Sequence, residues 1–91
     1  MELTESERRM YDALNRHYDS RFDYTTSLRQ YYGKRVMFFH LKSGLIDVVV
    51  SDSRCNEIGR ARINERAFAS KPEENNDAVN WACKLAGVEM K

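Results

Sequence analysis

From Arg35 the chain takes on the character of strands, with Arg35–Leu41 and Leu45–Val50 rich in β-branched and aromatic residues and Ile58–Arg66 alternating apolar with polar, and on either side the period lengthens to that of a helix. At the start, Met10, Tyr11, Leu14 and Tyr18 fall on one stripe behind Thr4-Glu5-Ser6-Glu7. That quartet has the spacing in which a hydroxyl and a carboxylate satisfy each other's backbone partners, so it predicts a helix over 5–18. At the far end, Ser70-Lys71-Pro72-Glu73 repeats the capping spacing, and Val79, Ala82, Leu85 and Ala86 form the apolar stripe. Gly87 supplies a left-handed stop, which predicts a helix over 71–87. Residues 19–34 are harder to place. Thr25, Thr26 and Ser27 disfavour a helix interior, while Leu28, Tyr31 and Tyr32 sit at i, i+3 and i+4 before Gly33. Irregular chain with one short helical segment is the expectation there.

This stretch divides into strands over 35–42, 45–52 and 57–66. Reading Ser43-Gly44 as a two-residue hairpin loop pairs Leu41 with Ile46, Phe39 with Val48, Met37 with Val50 and Arg35 with Asp52. A loop over Ser53 to Asn56 then sets Ala61 against Val48 and Ile63 against Ile46. This predicts a single α+β domain over 1–91, two-layered, with a three-stranded antiparallel meander flanked by the two helices. Met37, Phe39, Leu41, Val48 and Val50 would face the helices. Val36, Phe38, Leu45 and Val49 would point outward with His40, Asp47, Arg60 and Arg62, and a row His40–Asp47–Arg62 would cross all three strands. An apolar centre with an arginine rim has the composition of a protein contact, which marks Phe38, His40, Asp47, Val49, Arg60 and Arg62 as candidate partner-binding residues. The alternative is that residues 20–34, with Phe22, Tyr24, Leu28, Tyr31 and Tyr32, fold over this face and bury it.

The α-β-β-β-α order is joined by a closing segment Asn75-Asn76-Asp77-Ala78-Val79-Asn80-Trp81-Ala82-Cys83-Lys84-Leu85-Ala86. With Val48-Val49-Val50 and Ile58-Gly59-Arg60-Ala61, it resembles the double-stranded RNA-binding domain over the last forty residues. The resemblance implies a helix whose first lysines straddle phosphates and a loop that enters the minor groove. Here those lysine positions hold Asn75 and Asn76, the next basic position holds Val79, and a tight Ser43-Gly44 turn replaces the loop. Loss of those charges removes the main source of duplex affinity. A degenerate nucleic-acid binder using Arg60, Arg62, Arg66 and Lys71 is the alternative functional reading.

Composition narrows the chemistry. Fifteen Lys+Arg against 14 Asp+Glu leave a net charge of +1, too little for a nucleic-acid tail or a membrane-surface binder, so charge-driven binding has to come from local patches. One such patch would be Arg29, Lys34, Arg35 and Lys42 interleaved with Tyr31, Tyr32 and Phe38, diluted by nearby carboxylates. No apolar run approaches a membrane span. Cys55 and Cys83 have no metal-site or redox spacing, and no apolar leader follows Met1, so a cytoplasmic setting is expected. His17, His40, Cys55 and Cys83 fall on separate elements, which gives no metal site. A Cys55–His40–Asp47 relay fails on distance, since Cys55 lies ~15 Å along the strands from the other two. Phosphate-cradling loops and hydrolase elbows are missing from the sequence. The expectation is a non-enzyme without cofactor or small-molecule substrate. It would bind another protein, or a second copy of itself, as an inhibitor, adaptor or assembly subunit. Phage-encoded inhibitors of host machinery share this short, near-neutral, motif-poor composition.

Overall fold

The computed structural model describes residues 25–90 in full, the backbone of residues 22–24, and Glu5, Arg8 and Arg9, which are helical and exposed. The rest of the helix expected over 5–18 lies outside the described residues. The class is α+β, as the periodicity implies, but the sheet has four strands where three were expected. They are β1 (Phe22–Tyr31), β2 (Lys34–Leu41), β3 (Leu45–Ser51) and β4 (Glu57–Asn64), antiparallel in that order. Two helices follow, α1 (Glu65–Ala69) and α2 (Asn75–Ala86).

The additional strand occupies part of the stretch expected to be irregular. Its disguise is a β-bulge: Leu28 pairs with Val36 but Tyr31 pairs with Lys34, one residue out of step. Leu28 and Tyr31 therefore pack on the same core although three residues apart, a spacing that mimics a helix. The extra residue leaves backbone groups unpaired, and α2 answers them. The Asn75 side chain accepts from the Arg29 N–H at 2.9 Å and donates to the Arg29 carbonyl at 3.1 Å. Asn75 thus does a structural job at the position where the RNA-binding resemblance puts a lysine. Asn75→Lys is expected to lower stability by about 1 kcal/mol, because a lysine cannot both donate and accept. It should also bring no gain in duplex RNA affinity; a urea melt and a gel-shift titration check the pair of outcomes.

Gly33 is no helix cap. Tyr32 (φ 50°) and Gly33 (φ 70°) are the two central residues of a hairpin turn joining β1 to β2, both left-handed. The next hairpin differs from expectation by one residue. Its loop is Lys42-Ser43-Gly44, closed by the Gly44 N–H on the Leu41 carbonyl at 3.0 Å, with Gly44 at φ 90°. That places Phe38 opposite Val48 and Phe39 opposite Asp47. A one-residue slip turns every β2 side chain over. Val36 and Phe38 consequently join Ile46, Val48 and Val50 against Val79, Ala82 and Cys83 of α2, while Met37 and Phe39 take the opposite face. The β3–β4 pairing is the expected one, with Ile46 on Ile63 and Val48 on Ala61. Met37, Phe38, Phe39, Val48 and Val49 are all fully buried, so β2 and β3 are sealed on both faces. Long unbroken apolar runs in these strands follow from that.

The expected third strand over 57–66 stops at Asn64, whose side chain accepts from the Ala67 N–H at 2.9 Å and starts α1. Ser70 ends this short helix by donating its hydroxyl to the Ala67 carbonyl at 2.7 Å. The helix expected over 71–87 begins only at Asn75. It ends as expected, with Gly87 left-handed and Val88 N–H on the Cys83 carbonyl at 2.8 Å. The chain then runs back across β4 at Gly59, where Val88 and Ala86 fill the space of a side chain.

Candidate functional site

The six residues first marked for partner binding are divided by the fold. Phe38 and His40 point to the α2 side, and Asp47, Val49, Arg60 and Arg62 to the other. Phe38 and Val49 are fully buried, and His40 and Asp47 nearly so. The His40 ring meets Phe68 edge-on at 4.9 Å and its Nε2 lies 3.3 Å from the Thr26 hydroxyl oxygen. The expected row His40–Asp47–Arg62 keeps only its second half. Arg62 donates from Nε and Nη2 to the two Asp47 oxygens at 2.6 and 3.1 Å, its side chain 48% exposed over a carboxylate that is 1% exposed. Of the outward apolar surface drawn from the sequence, Val36, Phe38 and Val49 are interior and Leu45 is exposed; residues 22–31 do not cover it but extend the sheet sideways as an edge strand.

The basic set is likewise dispersed. Arg60 is bound to Glu57 and Arg62 to Asp47. Arg66 is exposed on α1, and the Lys71 ammonium sits 5.8 Å over the Phe68 ring while reaching the Pro72 carbonyl at 3.5 Å. Two of the four cations thus face carboxylates of their own chain, which weakens the field they present to phosphate.

A different surface has the features of a site. At the tip of the β1–β2 hairpin Tyr32 is 68% exposed. Its left-handed φ strains a bulky side chain where Asn or Gly is normally found. The Tyr31 and Tyr32 rings meet edge to face with centroids 4.5 Å apart. They form one end of an open cavity of about 170 Å³ whose remaining walls are Asn76, Asp77, Asn80 and Met90. A second cavity of about 430 Å³, lined by Asn80, Lys84, Val88, Glu89 and Met90, shares two of those walls. Together they make a groove along one side of α2, with the 88–90 tail as its other bank. Partial burial is the first cause that pushes the Tyr31 phenol above the ordinary tyrosine range. The nearby Tyr32 and the Asp77 carboxylate add to it by disfavouring the phenolate. Lys34 reaches the Tyr32 carbonyl with its ammonium at 3.4 Å.

These residues were missed as a group from sequence. Tyr31 and Tyr32 entered as part of a short helical segment, as a cover for the sheet and as aromatics among basic residues, Asp77 and Asn80 only within the closing segment, and Met90 not at all. The available signal was Tyr32-Gly33 itself, a bulky residue before glycine between two strand-forming runs.

Among the described residues no group of three or more His, Cys, Asp or Glu side chains is placed to hold a metal ion, and no helix is long and apolar enough to cross a membrane. Cys83 is buried, which raises its thiol pKa, and Cys55 is half-buried in the β3–β4 loop. That loop is ordered by Asp52, whose carboxylate accepts from the Asn56 backbone and side chain and from the Arg54 N–H, bonds that lower its pKa. Comparison with models of protein families, with curated proteins and with solved structures finds no match to this chain.

Proposed function

We propose that the protein is a small non-catalytic module that binds another protein through the groove between the Tyr31–Tyr32 hairpin tip, α2 and the 88–90 tail. The observation behind this reading is Tyr32. A solvent-exposed tyrosine in a left-handed turn contributes little burial and strains the backbone, so its placement is poor for stability and good for contact. Exposed tyrosines flanking a cavity are also the residue type that dominates binding energy at protein interfaces. The groove replaces the sheet face first expected to serve as the contact surface. An inhibitor or adaptor role, and self-association, both remain within this reading.

The test is a random-peptide display library panned on the protein, with the selected peptides titrated against wild type, Tyr32→Asn, Met90→Ala and the remote Arg66→Ala. Loss of binding in the first two with retention in the third supports the groove. Peptides indifferent to Tyr32 and Met90 would contradict it. So would tight duplex RNA binding, measured alongside, that falls with Arg66→Ala and Lys71→Ala.

A further inference from the structure

The smaller cavity has an unusual wall chemistry for its size. Its lining consists of two tyrosines, two asparagines, a methionine and a single charged side chain, Asp77. Aromatic faces carry negative charge density, and the two tyrosine rings, 4.5 Å apart, both line the cavity. The Asp77 carboxylate in the same cavity deepens the negative potential. The asparagine amides supply carbonyl oxygens able to accept from N–H donors.

Building on the groove assigned above, the geometry points to this cavity as a receptor for the cationic side chain, lysine or arginine, of a partner protein. A cation over a tyrosine face with a carboxylate at its side gains from both, and the loss of water on docking strengthens each contribution. Neutral or acidic side chains gain neither. Among the described residues, the lysines nearby are placed where they do not fill the cavity. Lys34 is drawn to the backbone carbonyl of Tyr32, and Lys84 lines the larger cavity, where Glu89 is also present. Asp77 stands in the first turn of α2, so its charge also offsets the positive end of that helix. The strain at Tyr32 acquires a use in this arrangement, because the turn holds its ring beside that of Tyr31 at the cavity mouth.

The experiment is an NMR titration of the full chain with N-acetyl-arginine amide and N-acetyl-lysine amide, against N-acetyl-citrulline amide as the uncharged isostere of the first. The cationic probes are expected to shift the ring protons of Tyr31 and Tyr32 and the amides of Asn76, Asp77 and Asn80, saturating in the millimolar range. Citrulline should leave them in place. Asp77→Asn is expected to weaken the response about fivefold or more and Asp77→Glu to preserve most of it. Equal shifts with citrulline, no shifts at these residues, or an unchanged response in Asp77→Asn overturns the inference. The panned peptides separate its failure from that of the wider proposal. Peptides that need Tyr32, lack enrichment in lysine and arginine and ignore Asp77→Asn would leave the groove standing and remove the cation. Peptides that ignore Tyr32 would remove the groove itself.

Discussion

Phe38→Ala and Phe39→Ala are each expected to lower the unfolding free energy by about 3–5 kcal/mol, even though the two rings point to opposite sides of the sheet. Neighbouring residues in a strand normally differ, one facing the core and one facing water. Here both are fully buried. Phe38 packs edge-on to Phe68 with centroids 5.0 Å apart, and lies 6.4 Å from Trp81. Its removal would open a cavity between the sheet, α1 and α2, bordered by these two rings. Phe39 lies across from Asp47 on the other side, so its loss would let water toward a carboxylate now held by Arg62. Urea titrations of the two variants should give similar midpoints, well below wild type. A loss under about 1 kcal/mol for Phe39→Ala would mean that its face is open to solvent.

Gly59→Ala should cost about 1–3 kcal/mol for the addition of one methyl group. A Cβ at this position would overlap Val88 Cγ2 and would approach the Ala86 carbonyl oxygen at 3.0 Å and its Cβ at 3.2 Å. The valine can rotate away, but the backbone carbonyl is fixed by the end of α2. Adding Val88→Ala to Gly59→Ala should therefore restore part of the loss and not all of it. Full additivity of the two changes would show that the tail does not rest on β4. Because Val88 and Met90 bank the groove, Gly59→Ala should also weaken peptide binding more than its effect on stability alone would.

Of the helix stripe read as Val79, Ala82, Leu85 and Ala86, Leu85 is exposed, but the other three and the stop at Gly87 are readable from spacing because local rules determine them. The β3–β4 register is readable for the same reason. Two errors had one root, the insertion of a single residue. In β1 the bulge between Leu28 and Tyr31 turned a period of two into an apparent helical period, and in the β2–β3 loop Lys42 joined the turn. A slip of one residue in Ser43-Gly44 costs little in local preference but exchanges Phe38 for Phe39. Pattern alone does not resolve it, since β2 and β3 are apolar on both faces and either register buries hydrophobic side chains. The groove was illegible for a different reason. It joins Tyr31 and Tyr32 to Asp77, Asn80 and Met90, about fifty residues away, and that meeting depends on the β1 strand that the bulge concealed. Asn75, by contrast, carried a visible hint: an amide at the position where the RNA-binding resemblance puts a lysine, which the structure uses to close the bulge.

If Tyr32 stands at the hairpin tip for contact and not for folding, the stability of Tyr32→Asn will show it. Asparagine is the residue a left-handed position before glycine favours, and the side chain it replaces is 68% exposed. Relief of backbone strain should equal or exceed the loss of the ring contact with Tyr31. Chemical denaturation should therefore show an unchanged midpoint or a gain of up to about 1 kcal/mol. A loss of more than about 1 kcal/mol would contradict the account, because it would mean that the ring supports the fold.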